Sequence, residues 1–224
     1  LCHNGIVYAR KTKSQIVTLS VSGMLWEHSL VMIDKETGSL WSHLLGEAMR
    51  GPLEGEVLET IPSVMTDWKS WKEKYPQSTV VAMTRKSLEY TKLQFLTPTD
   101  EHGRALLIGL ANRETSRAWI LDELKNNPVL NDDFAESPLV IVYDSQNDTT
   151  VLHGRKIDDQ VLTFRLEKDE LIDDQTNSRW DLLTGEAVSG KLKGKTLQKL
   201  PGIISYDFAW KNFHPESTYW KPAK

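Results

Sequence analysis

Residues 33–80 of this chain recur as residues 172–219 at a constant offset of 139, without a gap and with about 19 of the 48 pairs identical. Similarity of that length does not arise by chance, so whatever unit the first stretch builds, the second must build again. Shared positions include Asp34 with Asp173, Thr37 with Thr176, Trp41 with Trp180, Gly46-Glu47-Ala48 with Gly185-Glu186-Ala187, Gly51 with Gly190, Gly55 with Gly194, Trp71 with Trp210 and Pro76 with Pro215. Upstream, Ile6-Val7-Tyr8 matches Ile141-Val142-Tyr143 at an offset of 135, which places about four extra residues in an early loop of the second copy. The expected organisation is a first repeat over 1–97 and a second over 98–224.

The shared letters make sense as structure. Asp34-Lys35-Glu36-Thr37-Gly38 and Asp173-Asp174-Gln175-Thr176-Asn177 each sit between alternating apolar runs. An Asp opening the turn and Gly or Asn closing it predict a hairpin whose last loop residue has positive φ. The remaining paired glycines mark further tight turns between short strands. One helix per copy is expected, with Thr66 or Ser205 as N-cap and Pro76 or Pro215 as its end. A strand should follow each helix, over 78–83 and 217–220. Residues 84–104 read as a connection, 105–111 as a strand and 117–126 as a short helix stopped by Asn127-Pro128. The fold class is therefore mainly β: two pseudo-symmetric, small barrel-like or sandwich-like repeats with short helices.

Composition narrows the function classes. At 224 residues, with 39% hydrophobic and 26% charged residues, the chain can bury a core, and no apolar run approaches the ~20 residues of a membrane span. A net charge of −4 and interleaved lysines and acids argue against a nucleic-acid partner. The single cysteine, Cys2, excludes an internal disulfide. No signal peptide is visible, and Leu1-Cys2-His3 reads as the middle of a strand, as in a processed or truncated product.

The runs Val21-Ser22-Gly23-Met24-Leu25, Leu30-Val31-Met32-Ile33-Asp34, Thr37-Gly38-Ser39-Leu40-Trp41-Ser42-His43 and Gly51-Pro52-Leu53-Glu54-Gly55 resemble the DUF3179 family of bacteria and archaea. The stretch from Ser178-Arg179-Trp180-Asp181 to His214-Pro215 is similar to that family's C-terminal half. The resemblance implies an extracytoplasmic location, periplasmic or extracellular, with a membrane anchor among the options. It also implies a Cys-Pro-Leu-Cys segment, of which Leu1-Cys2 would be the end, so that this chain lacks the first part of copy one. Asn126 to Asp132 would echo that upstream part in copy two. The resemblance implies no activity.

In a duplicated protein, residues present in both copies hold the fold, and reactive types present in one are the better candidates for function. Cys2, His3, His28 and His43 fall in copy one, opposite Ser137, Pro138, Glu167 and Leu182. A thiolate with one or two imidazoles suits zinc or copper, so Cys2, His3 and His43 are the expected metal ligands and Cys2 and His3 the expected cofactor contacts. A cysteine three residues before Cys2 would make a c-type haem attachment motif with His3 as axial ligand. Against the site stands the plainer reading of a buried thiol beside surface histidines.

Glu47 with Glu186 and Asp34 with Asp173 could supply paired carboxylates, but their repetition favours structure. Ser42 and His43, adjacent on a strand, face opposite ways and make no dyad. Trp41, Trp180, Trp71 and Trp210 recur and belong in a core, whereas Trp26 and Trp119 lack a matching Trp and are the better candidates for exposure. No phosphate-binding or dinucleotide motif is present. The leading expectation is an extracytoplasmic protein holding a metal or redox cofactor in the first repeat. Its rival is a non-catalytic glycan- or protein-binding assembly module that uses the groove between repeats, and a hydrolase built on Glu47 comes third.

Overall fold

The structure, a computed structural model, describes residues 4–80 and 105–222. The first half runs β1 (Val7–Tyr8), β2 (Leu19–Trp26), β3 (Ser29–Asp34), β4 (Leu40–Ser42), β5 (Ala48–Arg50), β6 (Thr60–Ile61) and α1 (Trp68–Lys74). The second runs β7 (Leu106–Ala111), β8 (Ser116–Ile120), α2 (Leu121–Asn126), β9 (Val129–Phe134), β10 (Ser137–Asp144) and β11 (Thr149–Gly154). It continues with β12 (Lys156–Ile157), β13 (Gln160–Val161), β14 (Phe164–Glu167), β15 (Glu170–Asp173), β16 (Arg179–Trp180), β17 (Ala187–Ser189), β18 (Ile203–Tyr206), α3 (Asp207–Phe213) and β19 (Thr218–Tyr219). The protein is mainly β with three short helices among the described residues, and its sheets are small and open: none closes into a barrel.

Each half contains one antiparallel meander, β2-β3-β4-β5 or β14-β15-β16-β17. The same buried aspartate organises both. Asp34 accepts from the Thr37 amide at 2.6 Å, the Thr37 hydroxyl at 2.9 Å, the Ser39 amide at 3.1 Å and the Trp41 indole at 2.9 Å. Asp173 accepts from Thr176, Ser178 and Trp180 in the same way. A carboxylate can be buried this deeply only because its lone pairs are met by donors. Burial pushes the Asp34 carboxyl upward, but the donors from Trp41, Thr37 and Ser39 outweigh it and hold it below the usual carboxylate range. Gly38 and Asn177 close these turns at φ 72° and 53°, the conformation that their exchange predicts.

Outside the meanders the halves differ. The second half adds a mixed sheet, β18-β7-β8-β19, in which only β19 runs parallel to its neighbour, and a three-stranded sheet, β11-β10-β9. Alternation along β7 turns Leu107 toward Leu44, Ala118 and Trp210 and turns Ile108 and Leu110 toward Trp119 and Ile141, so this sheet is covered on both faces. Helix α3 packs on it with Trp210 fully buried, whereas α1 buries no residue.

Several expectations need correction. The upstream match is not Tyr8 with Tyr143. The Ala9 amide bonds the Glu59 carbonyl as Gly154 bonds Gln198, and Val17 bonds Arg10 as Leu162 bonds Arg155, so Tyr8 corresponds to His153 at an offset of 145. The extra length therefore lies in the first half, where β2 runs eight residues against four in β14. Residues 116–120 form strand β8, and the helix expected from 117 begins only at Leu121. The caps lie one residue later than expected: Asp67 bonds the Ser70 amide, and Tyr206 has no side-chain cap bond. A strand follows α3 but residues 78–80 form none, and 81–104, including the expected connection, lie outside the described residues.

Candidate functional site

Of the expected metal ligands, Cys2 and His3 lie outside the described residues. His43 follows β4 and is half-buried. Its Nδ1 has no hydrogen-bond partner among the described residues, and burial pushes the ring below the usual imidazole range, which leaves it neutral near pH 7. His28 is at the tip of the β2–β3 hairpin at φ 64°, its ring 6.0 Å from that of Phe208, and so belongs to a different region. Among the described residues no three His, Cys, Asp or Glu side chains come together as a metal-binding group.

The other candidates separate by burial. Glu47 and Glu186 are exposed, and the Ser42 hydroxyl accepts from the Leu45 amide. Trp26 is 41% exposed, as expected of it, and packs edge-on to Phe213 at 4.8 Å. Trp119, expected at the surface, is fully buried and bonds Asp132 through its indole at 2.8 Å. The recurring tryptophans divide: Trp41, Trp180 and Trp210 are in the core, but Trp71 is only half-buried.

Next to His43 the structure has a socket that sequence comparison missed. The Tyr8 hydroxyl donates to the His43 carbonyl at 2.8 Å, and in the second half His153 Nε2 lies 3.1 Å from the corresponding Leu182 carbonyl. Each ring lies against a glycine at positive φ. A Cβ on Gly46 would come within 2.6 Å of Tyr8, and one on Gly185 within 2.8 Å of His153, so the Gly-Glu-Ala segments owe their glycine to this close approach. His153 is buried with Nδ1 unpartnered among the described residues, and burial pushes its ring down to about 4.

The halves meet along a groove. One wall consists of Thr66, just ahead of α1, and Ser70 and Lys74, one turn apart on the same face of α1. Thr149 donates to Thr66 at 2.9 Å, Ser70 bonds Asn147, and Lys74 pairs with Asp181. Burial pushes Asp181 upward, but Lys74 and the Thr184 donors outweigh it and hold it below the usual range. These contacts pin α1 above a cavity of about 300 Å³ floored by Val142, Val151, Leu182 and Leu183. A second hollow of about 270 Å³ continues from it past Asp144 and Asp169 toward Lys125. In and around α1, Met65, Trp68 and Tyr75 are 42%, 49% and 38% exposed.

Among the groove's carboxylates, Asp181 pairs with Lys74, Glu170 with Arg179, and Asp144 accepts from the Gln146 and Asn147 amides. No helix among the described residues is long and apolar enough to cross a membrane. Comparison with curated proteins and with solved structures found no match. The family model described as "Protein of unknown function (DUF3179)" matches residues 1–217, nearly the whole chain. The chain therefore belongs to the DUF3179 family.

Proposed function

We propose that this chain is a non-catalytic, extracytoplasmic assembly module that holds a protein partner in the groove between its halves. The observation that carries the reading is the contrast between two matched helices. α3 buries Ala209 and Trp210 against its own sheet, while α1 buries nothing and leaves Trp68 and Met65 in solvent beside an apolar-floored cavity. An apolar face of that kind beside a preformed cleft is typical of an interaction surface. A photo-crosslinking residue at Trp68 in the full chain, activated in the native envelope, should give one discrete protein adduct that a Trp71→Ala change weakens. A chain that stays uncrosslinked there, or is retained instead on an oligosaccharide array, contradicts a protein partner. The array result would favour a glycan.

The unpartnered, neutral Nδ1 of His43 supports a second reading, a zinc, copper or redox-cofactor site completed by Cys2 and His3. Metal analysis should then find a stoichiometric ion that Cys2→Ser and His43→Ala each release. A Soret band in protein with a cysteine ahead of Leu1 would identify c-type haem. Metal-free, colourless protein with those residues intact removes this reading.

A further inference from the structure

The second half shows what a covered version of the groove looks like. Trp210 and Trp71 are held alike, each indole donating to a serine seven residues on, Ser217 at 2.8 Å and Ser78 at 2.9 Å. Beneath Trp210 lies Gly109 of β7, so close that a Cβ there would overlap the indole, and Gly109 pairs across the sheet with Ala118 of β8. Two small residues side by side make the flat floor a buried indole needs. Trp71 has no such floor among the described residues.

Three further matched positions also have one covered and one uncovered member. Residues 203–206 form β18 by pairing with β7, while 64–67 form no strand. Leu44 is buried between Leu107, Ala118 and Trp210, but Leu183, its counterpart, borders the 300 Å³ cavity. Phe164 has both backbone groups bonded by the Asn131 side chain of β9, at 2.8 Å and 2.7 Å, and no side chain does this for the matching Leu19 among the described residues. Trp71, residues 64–67 and Leu19 lack their cover in the first half, and Leu183 lacks its cover on the second half's side of the groove. What each lacks is what β7, β8 and β9 supply to its counterpart, Leu44 included.

We infer that the groove seats a strand pair supplied by a partner protein, with the chemistry of β7–β8: a leucine and an alanine turned into the cavity, and a glycine beneath Trp71. This rests on the assembly reading above and specifies the partner. The polar members of α1 do not oppose it, because Ser70 and Lys74 are already engaged by Asn147 and Asp181 and leave Trp71, Val64 and Leu183 to the occupant. Seating such a pair would give residues 64–67 a strand neighbour, as 203–206 have, and would close the cavity with side chains instead of solvent.

The test uses the full chain and a synthetic peptide with the sequence of residues 106–120. At saturating peptide, backbone hydrogen exchange over residues 64–75 should slow by about tenfold or more. The slowing should vanish for the Trp71→Ala protein, which loses no buried side chain and folds, and for a peptide carrying Gly109→Leu. No slowing, or slowing that survives both changes, overturns the inference. If the peptide fails while Trp68 still crosslinks to a protein, the assembly reading stands and the strand-pair chemistry falls. If the peptide protects α1 but no adduct forms in the native envelope, the socket stands and the assembly reading falls.

Discussion

Lowering the pH from 7 toward 4 should destabilise this protein by about 3 kcal/mol through His153 alone. Its ring is sealed from solvent, Nδ1 faces no donor, and burial moves its titration from 6.5 to about 4. Each unit of difference between folded and unfolded forms is worth about 1.4 kcal/mol. The sign follows from proton counting. Between pH 6.5 and 4 the unfolded chain holds a proton on this ring and the folded chain does not, so stability falls as pH drops through that window and levels off below it. Urea unfolding followed by tryptophan fluorescence at pH 7, 6, 5 and 4.5, on the wild type and on His153→Gln, isolates the effect by subtraction. His43, His214 and Asp34 titrate in both proteins and cancel. The variant starts less stable at pH 7 but should lose roughly 3 kcal/mol less on acidification. Parallel curves for the two proteins, or an NMR titration of His153 near 6.5, would refute the reasoning.

Replacing Asp173 by Asn should cost about 3 kcal/mol, since the amide cannot accept from Thr176, Ser178 and Trp180 at once, and Asp34→Asn should cost a similar amount; urea midpoints measure both, and losses under about 1 kcal/mol would contradict the hub. Trp210→Ala should cost about 3–5 kcal/mol and Trp71→Ala about 1 or less in the same assay, and equal losses would mean that α1 is covered after all. Gly185→Ala, which adds both a positive-φ penalty and a clash with His153, should cost about 2–3 kcal/mol, while Gly55→Ala, with open space around it, should cost only about 1; thermal or urea unfolding ranks the two.

What could be read from the sequence was whatever both halves encode with the same letters. The Asp-x-x-Thr-x-Ser-x-Trp turn is legible because its chemistry is local: carboxylate, hydroxyl, amide and indole all lie within eight residues. The pairing of Tyr8 with His153 was not legible, because the requirement there is a flat ring with a polar tip over a glycine, which two dissimilar residue types meet. The similarity of Ile6-Val7-Tyr8 to Ile141-Val142-Tyr143 reflects two apolar strands rather than equivalent places. The burial of Trp119 was not legible for a related reason: it depends on Asp132 of β9, in a different sheet, and a partner there leaves no periodicity. Residues 117–126 read as one short helix stopped by Asn127-Pro128, whereas β7 and β19 on either side hold 116–120 extended. The groove was anticipated only as a place between repeats. Its residues come from α1, β10, β11 and the turn after β16, which no single stretch of sequence brings together.

The long hairpin of the first half has a consequence for how the molecule is made. Its tip is clasped by the last helix: Trp26 lies against Phe213, and Asn212 bonds Glu27 across a separation of 185 residues. A nascent chain leaving the ribosome must therefore carry Val21, Leu25 and Trp26 without that clasp until α3 has emerged. At about 5–20 residues per second this interval lasts roughly ten to forty seconds. Holdase chaperones that shield apolar strands during translation would find their binding segment in that hairpin.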